Sequence, residues 1–297
     1  MIARFLPLLL FSCGAVHAAG PPVSKLPYDL SNPTSTFTLP DPLIEISALT
    51  DVDSNTVACV QDETATMYLI SLADGHVGPA FPFDGPGDME GLTNVKGDYY
   101  ALRSDGLVYQ LRFKLQEALS LGIVDTFRLD VPNHNIEGLG YDERNDRVLV
   151  SPKDFVKGTK EARDERVLYA FDPKDPTHKA DTVLHLSIKD LIAQAHALGI
   201  AVPEKKTGKD RVVPALKLRY SSVAVHPITD HYYLLSAVDR TLLVVDRQGK
   251  LIALEQLDAA LLPKPEGITF MANEDLVLSS EGKGSAPVIA RYRYQPR

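Results

Sequence analysis

Five segments of this 297-residue chain repeat one short pattern: a small or acidic residue, a small residue, then an aliphatic one, each opening an apolar stretch. They are Ser47-Ala48-Leu49, Glu90-Gly91-Leu92, Glu137-Gly138-Leu139, Ser221-Ser222-Val223 and Glu266-Gly267-Ile268. Neighbouring copies stand roughly 45 residues apart, except for a doubled interval between the third and fourth, and such a period built from short strands is the signature of a β-propeller. The second copy shows the unit most plainly: Gly91 to Val95, the turn Lys96-Gly97-Asp98, Tyr99 to Arg103, the turn Ser104-Asp105-Gly106, then Leu107 to Phe113. Gly and Asp between short β-prone runs mark hairpins, and the fourth copy, Val223 to Gln256, adds the run that completes a four-stranded blade. Inner runs such as Val148-Leu149-Val150 are apolar throughout, as strands covered on both faces by neighbouring blades must be. Five blades closed into a ring bury those faces and leave few open strand edges. The expected fold is all-β: a five-bladed β-propeller, with Ser35 to Leu39 supplying the outer strand of the last blade.

The doubled interval predicts a helical insertion after the third blade. Ser187 reads as an N-cap, Ile188, Leu191, Ile192, Ala195 and Leu198 share one helical face, and Gly199 stops the run. The basic stretch Lys205-Lys206-Thr207-Gly208-Lys209-Asp210-Arg211 that follows is either a docking loop for an anion or a solvated connector.

A composition of 44% hydrophobic and 24% charged residues belongs to a packed protein rather than a disordered one. The 39 acidic side chains outnumber the 31 basic ones, for a net charge of -8, which repels phosphate backbones and argues against a nucleic-acid partner. Two Cys without a CxxC pattern give neither a thiolate metal site nor a disulfide framework. Met1 to Ala18 carries Arg4, the apolar run Phe5 to Phe11 and Val16-His17-Ala18, the layout of a signal peptide cut after Ala18. The competing reading is a lipoprotein anchored through Cys13. The apolar run falls short of the roughly 20 residues needed to cross a bilayer, and no later segment is long enough. The expected organisation is thus a signal peptide at 1–18, a linker at 19–34 and a single propeller domain at 35–297, in a periplasmic or secreted monomer.

First strands of propeller blades line the central channel, so the repeat predicts a ring of Ser47, Glu90, Glu137, Ser221 and Glu266 around its axis. Three Glu side chains facing one axis repel one another unless they hold a cation, share protons or reach water. Two positions upstream lies a ring of mixed sign, Glu45, Asp88, Asn135, Arg219 and Lys264. The turn after each second strand carries a further acid, Asp62, Asp105, Asp154, Asp239 and Glu281, and antiparallel pairing brings these to the same channel mouth. Oxygen donors without Cys or paired His favour Ca²⁺ over zinc or copper. The alternative is that Glu-Gly merely caps a strand and the acids bond backbone N-H groups in turns. No GxSxG, HExxH, Walker A or EF-hand pattern is present. His134 and Lys153 stand near the ring as a candidate general base and a candidate phosphate contact, each with a turn-stabilising alternative, and His226 is expected to close a turn.

The succession Glu45-Ile46-Ser47-Ala48-Leu49, Asp88-Met89-Glu90-Gly91-Leu92, Asn135-Ile136-Glu137-Gly138-Leu139, Ser221 to Pro227, Leu243 to Lys250 and Pro265-Glu266-Gly267-Ile268 resembles the SdiA-regulated domain family, from about Leu39 to Tyr294. That resemblance implies a five-bladed propeller, distantly similar to NHL-repeat proteins, with a calcium site whose Glu positions fall on Glu90, Glu137 and Glu266. The sequence departs from the family at Ser221-Ser222, where Ser-Gly is usual, and Arg219 stands two positions upstream. The family implies no particular reaction. Two functions are therefore carried forward: an exported calcium-binding propeller that takes a small ligand or protein partner at its acidic mouth, and a calcium-dependent phosphoesterase or lactonase at the same mouth. In the second, Glu137 or His134 is the base, Glu90 and Glu266 hold metal, and Lys153 contacts phosphate. A purely structural scaffold is the third reading.

Overall fold

The computed structural model describes residues 26–115, 118–133, 135–155, 158, 161–208, 211–282 and 284–296. The expected signal peptide, Cys13 and His134 lie outside these residues.

The strand β1 (Ser35–Thr38) precedes five four-stranded antiparallel sheets. The first blade is β2 (Ile46–Asp51), β3 (Thr56–Gln61), β4 (Thr64–Ser71) and β5 (Val77–Pro86). The second is β6 (Met89–Val95), β7 (Asp98–Arg103), β8 (Leu107–Leu115) and β9 (Leu119–Arg128), and the third is β10 (Ile136–Asp142), β11 (Arg147–Pro152), β12 (Glu165–Phe171) and β13 (Asp181–Ser187). The helix α1 (Ile188–Ala197) and the hairpin of β14 (Glu204–Lys206) and β15 (Val212–Pro214) come next. The fourth blade is β16 (Tyr220–Val225), β17 (Tyr232–Ser236), β18 (Thr241–Val245) and β19 (Leu251–Gln256). β20 (Pro265–Phe270), β21 (Leu276–Ser280) and β22 (Val288–Tyr292) form the fifth blade, whose outer edge is β1, with Ser35 opposite Arg291 and Thr38 opposite Val288. N-terminal and C-terminal segments thus share one blade, which closes the ring.

Closure is visible in the inner strands. β2 packs against β6 and β20, β10 against β6 and β16, and β16 against β20, so the five first strands surround one axis. Each blade-to-blade interface holds its own apolar cluster, as both-face burial requires. Leu49, Cys59, Ile70 and Ile289 fill the interface of blades five and one; Met67, Leu92, Tyr99 and Leu111 fill that of blades one and two. Burial in that setting drives the Cys59 thiol well above its ordinary range, so it is an inert core residue.

Local chemistry sets the turns and close approaches. Lys96 and Gly97 both have positive φ, 54° and 95°, between paired Val95 and Asp98, the two-residue turn that suits a twisted hairpin. The glycine of each Glu-Gly pair sits where blades meet: a Cβ on Gly91 would lie 2.7 Å from the Glu137 carbonyl oxygen, and one on Gly138 would lie 2.8 Å from Ser222 Cα. Asp190 N donates to Ser187 Oγ at 3.2 Å, the expected cap of α1. Ile188, Leu191 and Ala195 are buried. Leu198 is not on that face as expected, being 42% exposed at the helix end. Leu26 and Tyr28, in the stretch expected to be a linker, are buried among residues of blades four and five.

Candidate functional site at the channel mouth

All five inner strands carry a β-bulge at the same place. Pairing jumps between Ile46 and Ala48, Met89 and Gly91, Ile136 and Gly138, Tyr220 and Ser222, and Pro265 and Gly267. The residue passed over is in every case the ring residue: Ser47, Glu90, Glu137, Ser221 or Glu266. A bulge re-aims the side chain it carries, and here it does so five times around one axis.

The five positions then divide by chemistry. Ser47 Oγ donates to Met89 O at 2.5 Å and Ser221 Oγ donates to Pro265 O at 3.0 Å, each latching its blade to the next. The three Glu carboxylates enter a charged cluster. Lys153 Nζ contacts Glu137 Oε1, which also accepts from Asn135 Nδ2 at 3.2 Å. Lys264 Nζ lies 3.1 Å from Glu266 Oε1 and 2.6 Å from Glu281 Oε1. Glu137 and Glu266 are 0% and 3% exposed, whereas Glu90 is half-buried and Asp88 exposed.

Burial, reinforced by the neighbouring Glu137, Asp88 and Glu266 carboxylates, holds the Glu90 carboxyl far above the ordinary carboxylate range. Burial also raises Glu137, with Lys153 pulling the other way. Glu266 is pushed up to about 8 by burial, against the pull of Lys264 and with the help of Glu137. Lys153 stays charged because Glu137, Glu266 and Glu90 together outweigh its own desolvation. Asp62 joins this cluster from the next turn: burial and the Glu45 and Glu281 carboxylates raise it, and its Oδ1 is buried without a hydrogen-bond partner among the described residues. Glu137 Oε2 is likewise buried and unpartnered among the described residues.

The other turn acids do not join. Asp105 is held by Arg103 Nε and Nη2 at 3.0 and 2.9 Å and by Arg128 Nη1 at 3.1 Å, on an exposed turn. Asp239 Oδ2 accepts from Lys217 N and Leu218 N at 2.9 and 2.6 Å, so it stabilises a turn. Asp154 pairs with Arg219 Nη1 at 2.9 Å, which occupies the guanidinium that stands two positions upstream of Ser221. Of the five turn acids, Asp62 and Glu281 enter the charged cluster, while Asp105, Asp154 and Asp239 are held by other partners. Physically, Asp105 and Asp239 found nearer partners, a guanidinium pair and two backbone N-H groups. His226 closes a turn as expected, its Nδ1 accepting from Ile228 N and Thr229 N at 3.1 and 3.2 Å.

A sequence model of the SdiA-regulated family matches residues 41–283, which takes in all five bulges and the whole cluster. The chain belongs to the SdiA-regulated family. No curated protein sequence matches it. Among solved structures, the glutaminyl cyclase of Myxococcus xanthus is similar with a TM-score of 0.57 and 12% identity, over 88% of this chain and 95% of that one. The PQQ-bound aldose sugar dehydrogenase of Streptomyces coelicolor is similar with a TM-score of 0.52 and 11% identity, over 88% of this chain and 97% of that one. At such identities the likeness is one of fold. What this SdiA-regulated protein offers chemically must be read from its own cluster.

Among the described residues the donor set of the mouth is all oxygen, and two buried oxygens, Glu137 Oε2 and Asp62 Oδ1, lack partners. Such atoms are the ones a hard cation would satisfy. Lys153 and Lys264 already engage one oxygen each of Glu137, Glu266 and Glu281. Among the described residues no three His, Cys, Asp or Glu side chains converge closely enough to form a complete metal shell as they stand.

Proposed function

We propose that the protein is an exported propeller whose carboxylate mouth holds Ca²⁺ and, with the ammonium groups of Lys153 and Lys264 beside it, receives a small anionic ligand. The observation that carries this reading is Glu137 Oε2: a fully buried carboxylate oxygen with no hydrogen-bond partner among the described residues, beside carboxylates that raise one another. A buried acceptor left unmade costs about 1–3 kcal/mol, and a cation shared with Glu90 and Glu266 removes that cost together with the mutual repulsion. Glu90, Glu137 and Glu266 would hold the ion, with Glu45 and Asp88 upstream and Asp62 and Glu281 beside them. Ca²⁺ suits this set because it accepts roughly 6 to 8 oxygens in loose geometry. The bound ion supplies a positive centre, and the lysines flank it. The apolar run at the N-terminus supports export.

Thermal unfolding after chelation, with and without millimolar Ca²⁺, tests the reading. Ca²⁺ raises the melting temperature of the parent and not that of Glu90→Gln/Glu266→Gln, as ligand linkage requires. No rise in the parent sinks the proposal. Glu137 is poorly placed as the accessible base of a hydrolase, since its Oε1 is engaged by Lys153 and Asn135 and the residue is 0% exposed; the other candidate base, His134, lies outside the described residues. Phosphoesters and lactones are therefore expected to pass unhydrolysed; turnover abolished by Glu137→Gln would replace the binding reading with a catalytic one.

A further inference from the structure

The opposite end of the channel widens into a cavity of 640 Å³, within the range of small-molecule sites. The later residues of the same five inner strands build its wall, starting two positions beyond each ring residue. Three positions after each ring residue stand Thr50, Thr93, Gly140, Ala224 and Thr269. Blades five, one and two therefore offer hydroxyls, while blades three and four are pared back to glycine and alanine, which opens the funnel on that side. Tyr141 and Phe270 flank it.

The charges lining this cavity do not balance. Its cations are already taken: Lys96 Nζ lies 2.8 Å from Asp146 Oδ1, and Arg144 Nη1 lies 2.5 Å from Asp230 Oδ2. Asp230 is further held by Arg247. His226 is kept neutral, because burial pulls it down to about 4; Tyr28 donates to Glu274 O, so the His226 Nε2-H must face Tyr28 Oη, and Nδ1 accepts two backbone N-H groups. Two acids remain, Asp51 and Glu143, without an ion-pair partner among the described residues. The Asp51 carboxyl meets Thr50 Oγ1 at 3.4 Å, Thr269 Oγ1 at 3.3 Å and its own backbone N-H but no cation among the described residues, and burial, with Glu143 nearby, raises it.

Thr93 supplies an independent sign. It is 3% exposed, lines the same cavity, and its hydroxyl has no hydrogen-bond partner among the described residues. Unpaired carboxylates and an unpaired hydroxyl together match an organic ammonium, which gives hydrogen bonds and charge to the acids. An anion would meet Asp51 and Glu143 with nothing to neutralise them, and a neutral apolar ligand would leave Asp51 unpaired.

We infer that the far end of the channel binds a small organic diamine or polyamine, one ammonium on Asp51 and another toward Glu143, with the carbon chain spanning the cavity between them. Calorimetric titration of the purified protein with putrescine and with spermidine, in saturating Ca²⁺ to fill the opposite mouth, tests it, with neutral 1,4-butanediol as the comparison. The amines bind and the diol does not. Asp51→Asn and Glu143→Gln each weaken amine binding by about tenfold or more, while Asp181→Asn, an exposed acid on an outer strand, changes nothing. Glu143 is exposed in a turn, so its Gln variant stays folded and keeps the test valid if Asp51→Asn does not. Failure of both amines to bind, equal binding of the diol, or undiminished affinity in Glu143→Gln would overturn the inference; loss of amine binding in Asp181→Asn as well would reduce it to general anionic attraction.

Discussion

Glu137 shows how much one buried carboxylate can demand. It is sealed from solvent, bonded on one oxygen by Lys153 and Asn135, and bare on the other. Removing only the ammonium leaves a buried charge uncompensated, whereas removing both partners leaves a neutral amide. Lys153→Met should therefore cost on the order of 3 kcal/mol by denaturant titration, and Glu137→Gln/Lys153→Met should recover most of it. Equal losses in the single and double variants would show that the contact carries no such energy. His226 makes a second demand, with the opposite sign of charge. Its folded pKa of about 4 lies below its ordinary 6.5, so the unfolded chain binds more protons between those values. The contribution is complete above pH 6.5 and is lost as pH falls toward 4. Melting followed from pH 7 to 4 should decline over that window, and His226→Gln should flatten the decline; an unchanged slope would contradict the assignment. At this scale the sequence disclosed which acids recur, but not which stay at the mouth. Asp62 and Asp105 occupy equivalent positions, and the guanidinium groups of Arg103 and Arg128, both on Asp105, separate their fates.

Among the elements, the inner strand decides the site. Its five bulges were invisible in the sequence for a simple reason: every copy carries the extra residue, so the copies align without a gap and nothing marks the shift in pairing. The Glu-Gly pattern itself was legible, and its second member is explained by packing. A methyl on Gly138 would press on Ser151 Oγ and lie 2.8 Å from Ser222 Cα, whereas one on Gly85 meets nothing within 4 Å. Gly138→Ala is expected to lose about 1–3 kcal/mol through overpacking, while Gly85→Ala stays within about 0.5 kcal/mol of the parent. Comparable melting of the two variants would show that the blades can separate to admit the methyl. Ser222 and Ala48 at the same position in blades four and one are the two copies in which the interface leaves room.

For the molecule as a whole, closure depends on the N-terminal segment. β1 completes the fifth blade, and Leu26 and Tyr28 seal the interface of blades four and five. The strand was legible from its alternation, but the buried strap was not, because Leu26 and Tyr28 are isolated apolar residues in a Pro-rich stretch without periodicity. Deleting residues 1–39 should expose the edge of β22 and lower the melting temperature by many degrees or give aggregates on gel filtration; an unaltered monomer would refute that role. The closed ring then gives one channel two unlike ends, a narrow carboxylate cluster and a wide funnel.

The most direct test of the carboxylate mouth is anomalous diffraction from crystals grown in Ca²⁺. The account predicts one peak near the channel axis, about 2.3–2.6 Å from oxygens of Glu90, Glu137 and Glu266, with the Lys153 and Lys264 contacts rearranged around it. No peak there, with Lys153 still on Glu137 and Lys264 still on Glu266, would contradict it and leave the ring as an internally neutralised latch.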